Sequence, residues 1–228
     1  MVTTVLFEEK VEIPLDIRSL ADFRRWALSP EFPERGRIDF LAGRIEVDMS
    51  PEDLFCHGTL KGEIHAVLHR LVKEAGLGHL FVDSTRVSCP EADLSVEPDI
   101  VFLSHAAIES GRVRLVPKAG GEPGRYVEIE GPPDLVVEVV SDTSQAKDTR
   151  RLPAAYFRAS VSEFWLADAR GDTPIFCIHR RGSGGFVPVA PDAEGFQSSA
   201  VLQCGFRLDA RRDAQGHWTF DLRTRPSA

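Results

Sequence analysis

Two acidic residues stand where a buried strand would be expected to hold apolar side chains. Glu138 lies within the β-branched run 136–140, and such a run is typical of a strand that is covered on both faces. An unpaired carboxylate buried there costs several kcal/mol or takes up a proton. Asp99 follows Pro98, which has no backbone N–H to donate. The predicted strand 96–103 should therefore fray or bulge at this point and turn Asp99 out of regular pairing.

Two carboxylates at the ends or bends of neighbouring strands would form a hard, oxygen-rich site. Mg²⁺ or Mn²⁺ prefers such ligands, and it keeps several waters while it takes only one or two carboxylates. The residue types alone leave an alternative open, in which Asp99 caps a turn and Glu138 pairs with an arginine. The pair therefore indicates either a metal site or a structural ion pair.

The elements that must position these residues alternate between helical and strand patterns. Apolar residues at three- and four-residue steps predict the helices, and β-rich runs bounded by turn residues predict the strands. Between two of the strands, residues 105–131 have the composition of a variable loop or insertion, with a short strand over 125–129. The helical segments are 19–28, 53–75 and part of 148–159; the strand segments are 37–40, 44–49, 79–87, 96–103, 134–140, 163–167, 174–180, 185–189 and a hairpin within 206–222.

This order of elements predicts an α/β (α+β) fold in which helices flank a mixed β-sheet. The segment 37–49 would be an N-terminal hairpin, and the last strands would be an extension of the core. The length of 228 residues predicts a single domain over 1–228. We expect its core over about 36–170 and its C-terminal strand extension over about 171–228.

Composition narrows the class of function. The net charge is -8, from 27 Lys and Arg against 35 Asp and Glu, which argues against a broad basic surface that coats nucleic acid. The N-terminus lacks a basic segment followed by a long apolar one, and no apolar run could span a bilayer, so we expect a cytoplasmic protein without membrane contact. The cysteines form no CxxC pair, which favours buried, reduced thiols over a zinc site: they are Cys56, Cys89, Cys177 and Cys204.

Several short segments, in order, resemble the PD-(D/E)XK nuclease superfamily and, more closely, the Uma-two family of "putative restriction endonucleases". The resemblance runs from about Ile38 to Asp168, more than half of the chain. Each segment is weak alone, but their order and spacing are specific. The matching segments are the acidic hairpin strand with its glycine turn (39–43), Met49-Ser50-Pro51 followed by His57, Pro98-Asp99, PPDLVVEVVS (132–141), Asp148 with Tyr156, and VSEFWL (161–166).

The resemblance implies a restriction-endonuclease-like core that hydrolyses phosphodiester bonds of DNA with Mg²⁺ or Mn²⁺ as cofactor. It assigns Asp99 and Glu138 as catalytic, metal-binding acids and the backbone carbonyl of Val139 as a further ligand. Asp39 would correspond to an extra acid near the site. His57 would contact a metal-bound water or a phosphate; a hydrogen-bonding residue at a helix N-terminus is the alternative.

The chain departs from the family pattern at its lysine. The superfamily usually places a lysine two residues after the glutamate, where this chain has Val140. Members of the Uma-two family commonly place it on the following helix instead, where this chain has Leu152. Lys147 and Arg151 are the candidates to orient the water or neutralise the phosphate. We assign Arg150, together with Asp39 and Ser141, to substrate binding. Asp148 or Thr149 should cap the helix, with Pro153 in or near its first turn.

Two other functions stay open. Because the usual lysine is missing, the chain could be a catalytically weakened nuclease fold that acts as a nucleic-acid-binding or protein-interaction module. It could also hydrolyse another phosphoester or a small molecule. If the chain cuts both strands of DNA, a homodimer with two sites related by a twofold axis would suit that task, and the strands beyond residue 170 could supply the interface.

Overall fold

In the part of the chain that the structure describes, four α-helices pack against β-sheets. The computed structural model describes residues 13–33, 36–121 and 123–226. The four α-helices are short except for the second, and three tighter or wider helical turns accompany them. The helices are α1 (Leu20–Ala27), α2 (Thr59–Glu74), α3 (His105–Glu109) and α4 (Leu152–Arg158); the π turns are Leu54–Gly58 and Lys147–Arg151, and the 3-10 turn is Pro90–Ala92.

The strands form two six-stranded mixed sheets and one three-stranded antiparallel sheet. The strands are β1 (Arg37–Leu41), β2 (Arg44–Asp48), β3 (Gly78–Val82), β4 (Arg86–Cys89), β5 (Leu94–Val96), β6 (Ile100–Ser104), β7 (Arg114–Pro117), β8 (Tyr126–Glu130), β9 (Leu135–Val139), β10 (Glu163–Asp168), β11 (Ile175–Arg181), β12 (Phe186–Pro188), β13 (Gln197–Ser199), β14 (Cys204–Arg212) and β15 (Trp218–Pro226). The first sheet has the order β2-β1-β5-β4-β8-β7, the second β12-β11-β10-β9-β6-β3, and the third β13-β14-β15.

The predicted α+β architecture is confirmed, since helices flank mixed sheets. Helix α1 begins where Ser19 accepts a hydrogen bond from the backbone N–H of Asp22, as expected of an N-cap. The hairpin β1–β2 turns at Ala42 and Gly43, both with positive φ. Helix α2 ends just before Gly76, whose φ of 60° is that of a glycine C′ residue.

Two predicted strands are each divided between the two large sheets. The segment 79–87 becomes β3 and β4, which are separated at Asp83 and Ser84, both with positive φ. The segment 96–103 becomes β5 and β6 with Pro98 between them, because a proline cannot donate to a ladder. Asp99 therefore lies at the junction where the chain passes from the first sheet to the second.

The prediction that residues 105–131 form a variable loop or insertion is wrong for most of the segment, whereas the short strand predicted within it at 125–129 is confirmed as β8. This segment contributes α3 and the strands β7 and β8, and β8 pairs in parallel with β4. The signal was weak because β8 begins with the exposed residues Tyr126 and Val127, which blurs the alternation of buried and exposed side chains. The first sheet is complete only with these two strands.

Strand β9 lies inside the second sheet, where it pairs with β6 and β10. Apolar side chains of other elements cover both faces of β9. Val136 shares one apolar cluster with Tyr156 of α4 and with residues of the first sheet, while Val137 and Val139 share another with Trp165 and α2. The near-continuous apolar sequence of β9 follows from this double burial, and Glu138 is its one charged exception.

The described helices include none that is long and apolar enough to cross a membrane; the longest, α2, has 16 residues. All four cysteines are free thiols. Cys89 and Cys204 are buried as expected, whereas Cys56 and Cys177 are partly exposed, so the prediction of four buried thiols holds for two of them.

A buried glutamate ties the third sheet to the second. Glu163 of β10 accepts hydrogen bonds from Trp165 Nε1 at 2.7 Å, Ser199 Oγ at 2.6 Å and the backbone N–H of Ala200 at 2.9 Å. Burial raises the pKa of this carboxyl. The network joins the end of β13 to the centre of the core.

We expect Glu163→Ala to lower the free energy of unfolding by about 3 kcal/mol or more, because each buried donor that loses its acceptor costs about 1–3 kcal/mol. Urea denaturation followed by circular dichroism measures this change. Glu163→Gln keeps an acceptor oxygen and should lose less. Equal stabilities of Glu163→Ala and the wild type would contradict the assigned role.

Candidate active site

Asp99 and Glu138 lie next to each other at the junction of the two large sheets. The register of β6 and β9 pairs Ile100 with Val137, so the next residues, Asp99 and Glu138, stand opposite each other and point to the same face. Both are fully buried, with 0% and 1% exposure. Asp99 Oδ2 accepts the backbone N–H of Val139 at 2.7 Å. The two acids that the sequence singled out are thus brought together.

One oxygen of Glu138 has no hydrogen-bond partner. Its Oε1 accepts a hydrogen bond from the Tyr156 hydroxyl at 2.5 Å, whereas Oε2 is buried and unsatisfied. Burial, together with the negative charges of Asp99 and Asp148, raises the pKa of Glu138 well above its ordinary value. Two acids that share a buried site disfavour each other's ionisation, so this site favours either a proton or a cation.

The positive charge beside Asp99 comes from Arg37, which the sequence analysis did not identify. Its Nη2 donates to Asp99 Oδ1 at 2.8 Å. Burial alone would raise the pKa of Asp99, but its contact with His57 and the charge of Arg37 hold that pKa well below the usual range. Arg37 lies two residues before Asp39 on β1 and therefore on the same face of the strand. This spacing is the sequence signal that could have identified Arg37 as a site residue.

Asp39 and Lys147 form a buried ion pair beside the two acids. Asp39 Oδ1 accepts the backbone N–H of Glu97 at 3.0 Å, and Oδ2 accepts from Lys147 Nζ. Lys147 is only 7% exposed. Burial would lower its pKa, but the negative charges of Asp39 and Glu138 outweigh that effect and raise it. Lys147 is therefore a protonated lysine held inside the site.

His57 reaches the site from the π turn that precedes α2. Asp53 begins this turn by accepting hydrogen bonds from two backbone N–H groups. His57 Nε2 lies 3.6 Å from Asp99 Oδ2, and Nδ1 lies 3.1 Å from Glu52 Oε2 at an angle outside hydrogen-bonding geometry. One ligand atom each of Glu52, His57 and Asp99 falls within 4.8 Å of the others. The sequence did not indicate Glu52 as a site residue, because it lies in an irregular loop where no strand or helix pattern shows which way its side chain points.

The site opens to solvent through two adjoining cavities, which we call the mouth. One, of about 350 Å³, is lined by Arg37, Asp48, Glu52, His57 and Ser141. The other, of about 470 Å³, adds Asp142, Thr143 and Arg170. Ser141, which was assigned to substrate binding, lies in both cavities, and its hydroxyl is 2.7 Å from Ser144 Oγ. Carboxylates outnumber arginines among the charged side chains that line the mouth: Asp48, Glu52, Asp53 and Asp142 against Arg37 and Arg170.

Arg150 and Arg151 lie away from the acids. Both are exposed, and Arg151 forms an ion pair with Glu46 of β2. They line a separate cavity beside the β1–β2 turn. The π turn thus presents Lys147 to the interior and the two arginines to the surface, so Lys147 is the candidate cation that reaches the site.

The predicted helix cap at Asp148 or Thr149 is wrong. The π turn already begins at Lys147, after Ala146, so Asp148 lies within it and faces inward. Asp148 accepts a hydrogen bond from the Ser144 hydroxyl, and burial raises its pKa to about 6. Pro153 lies in the first turn of α4, as expected.

Comparison with known proteins gives a family and a fold. Residues 20–211 match the Uma2 family model, which is described as "Putative restriction endonuclease". No curated protein matches.

Four chains of solved structures match. One is a "putative nuclease belonging to DUF820" from Anabaena variabilis ATCC 29413, at 18% sequence identity and a TM-score of 0.58. The match covers 81% of this chain and 90% of that one. At this identity, the likeness concerns the fold.

Proposed function

Because the chain belongs to the Uma2 family of "putative restriction endonucleases", we propose that it is a metal-dependent endonuclease that hydrolyses phosphodiester bonds of DNA. The observation that carries the proposal is the buried pair of Asp99 and Glu138 next to an open mouth. A nuclease acts on a charged substrate, and the paired acids create a strong preference for a cation at the place where that substrate would enter.

The donor set fits Mg²⁺ or Mn²⁺. Asp99, Glu138 and the backbone carbonyl of Val139 would hold the ion, and all three offer hard oxygen atoms. The buried, unbonded Oε2 of Glu138 supports this assignment, since such an atom is costly unless a ligand satisfies it. The bound ion would supply a water of lowered pKa and would stabilise charge on the phosphate.

Lys147 takes the place of the lysine that is missing at Val140 and Leu152. Since its amine is protonated beside Asp39, it acts as a positive charge toward the phosphate and not as a base. Asp39 is a positioning residue, because it holds Lys147 next to the acids. Arg37, partly exposed at the mouth, keeps Asp99 ionised.

His57 is placed to move a proton between the site and solvent. One ring nitrogen faces Asp99 and the other faces Glu52, which is 46% exposed at the mouth. Burial lowers the pKa of His57, but the neighbouring Asp99 and Glu52 carboxylates raise it overall. A histidine between an interior carboxylate and the surface can accept a proton on one side and release it on the other.

The proposal extends to organisation. We infer a single domain over 1–228 with a core over about 36–170. The packing of the third sheet on α2 supports this, since Glu63 accepts the backbone N–H of Leu222 at 2.9 Å. Residues 1–12 and 227–228 lie outside the described residues. A homodimer in the cytoplasm would bring two sites to the two strands of DNA.

Incubation with supercoiled plasmid tests the function. We expect nicked and linear DNA with Mg²⁺ or Mn²⁺ and intact DNA when a chelator is present, because the acids need the ion to act on a phosphate. Matched RNA and a panel of nucleotides and phosphoesters define the substrate class. The second candidate, a nucleic-acid-binding module, is favoured by the missing lysine. It would retain DNA in a gel-shift assay and leave it uncut with either ion.

A further inference from the structure

The arginine and lysine side chains around the acid pair already form ion pairs with carboxylates. Arg37 pairs with Asp99, Lys147 with Asp39, and at the mouth Arg170 pairs with Asp168. Lys61 likewise binds Glu52 and Asp83. The mouth therefore offers little unpaired positive charge. Because the net charge of the chain is -8, the residues that attract a polyanion must lie on another part of the surface.

A group of arginines beside the mouth is mostly not paired with carboxylates. Arg44 in β2, next to the hairpin turn, lies with Arg150, Arg151 and Arg158 around a surface cavity of about 370 Å³. All four are exposed. Arg151 pairs with Glu46. For the other three, no carboxylate within the described ranges lies at ion-pair distance. We call Arg44, Arg150 and Arg158 the arginine patch.

The patch is connected to the site by two short elements. On β2, Arg44 is four residues from Asp48, which lines the mouth; at about 3.3 Å per strand residue, this is roughly 13 Å. In the π turn, Arg150 follows Lys147 by three residues. A nucleic-acid strand advances about 3.4 Å per base step, so the patch lies about four base steps from the mouth.

We propose that the arginine patch binds backbone phosphates of DNA that flank the phosphate at the acid pair, an inference that rests on the proposed function. Guanidinium groups suit this role, because they present a planar fork of donors to phosphate oxygens and are weakly hydrated. The arginines of the patch lie outside the site and do not pair with Asp99 or Glu138, so both acids stay available to the metal ion. It explains how an acidic protein can hold an acidic polymer.

Binding of a fluorescently labelled DNA duplex tests the patch, with chelator present so that no cleavage occurs. We compare R44A/R150A/R158A with R70A/R125A/R180A, which removes three other exposed arginines and therefore changes the net charge equally. We expect the patch variant to bind at least about tenfold more weakly at low salt. We also expect the slope of log affinity against log salt to fall by about 0.9 for each DNA phosphate that the variant no longer neutralises. The control variant should stay within about twofold of wild type.

The outcomes separate the two proposals. Equal losses of affinity in both triple variants would mean that only net charge matters, and the patch would be an ordinary solvated surface. If the wild type cleaves plasmid and the patch variant binds DNA normally, the patch assignment is overturned while the nuclease function stands. If the wild type neither binds nor cleaves DNA, both proposals are overturned. Because all six arginines are exposed, thermal unfolding should be similar in the three proteins.

Discussion

Glu138→Gln should reduce metal-dependent cleavage of plasmid DNA by at least about a thousandfold. The amide keeps the size of the side chain and an acceptor for the Tyr156 hydroxyl, but it removes the negative charge that would hold the ion beside Asp99. Loss of a metal ion's stabilisation of the phosphate is worth several kcal/mol, and each 1.36 kcal/mol is a factor of ten in rate. Asp99→Asn should have a comparable effect.

The fold should survive this change. Glu138 is buried beside Asp99 and its pKa is raised, so a neutral amide relieves repulsion between the two acids and should leave the thermal unfolding temperature unchanged or higher. Binding of Mn²⁺ should raise the unfolding temperature of the wild type but not that of Glu138→Gln. This measurement reports on the ion independently of activity.

Glu128→Gln is the matched control. Glu128 is also a buried glutamate, but it lies in β8 and pairs with Arg24 at 2.7 Å, away from the acid pair. We expect it to cleave at the wild-type rate and to keep its response to Mn²⁺. Wild-type cleavage by both Asp99→Asn and Glu138→Gln would refute the metal site.

Lys147→Met should lower the cleavage rate by about a hundredfold or more while DNA binding is retained. A methionine of similar length fills the space but removes the one cation that the π turn presents to the interior. Loss of a single charged or hydrogen-bonding group that stabilises a transition state costs about 10²–10³ in rate. Single-turnover cleavage with saturating protein separates this effect on chemistry from any effect on affinity.

Arg151→Met is the control for Lys147→Met, because Arg151 lies on the same turn but pairs with Glu46 at the surface. It should retain most of the activity. A second variant relocates the amine: in Lys147→Met/Val140→Lys, the new lysine lies two residues after Glu138 and so projects to the same face. We expect part of the original rate to return. If Arg151→Met lost more activity than Lys147→Met, our choice of cation would be wrong.

Local patterns were sufficient for most of the elements and for the acid pair. Helix α1, the β1–β2 hairpin and the long helix α2 carry periodicity, caps and turn residues within a few positions of one another, and such signals act without the rest of the fold. Glu138 was conspicuous because a charge interrupts an apolar strand. The order of the matching segments then indicated a family, and the resemblance to that family supplied the expected chemistry.

Other features depended on pairing between distant segments. Strand β7 pairs with β8, and β8 pairs with β4, a partner about forty residues away in the sequence. The sequence therefore indicated β8 only as a short strand and gave no indication of β7. Pro98 indicated a break within residues 96–103, but only the pairing of β5 with β1 and β4 and of β6 with β3 and β9 shows that the two halves belong to different sheets.

The sequence by itself predicted the class of fold and the family, and it singled out the two acids that the structure brings together, because these features leave signals in local residue patterns. Only the tertiary structure decided which cations lie beside them: Arg37 next to Asp99, and Lys147, not Arg151, turned to the interior. A charged side chain can face the core or the solvent at nearly the same local cost. Its direction is settled by the buried carboxylate that it meets across the fold, where an unpaired charge would cost several kcal/mol.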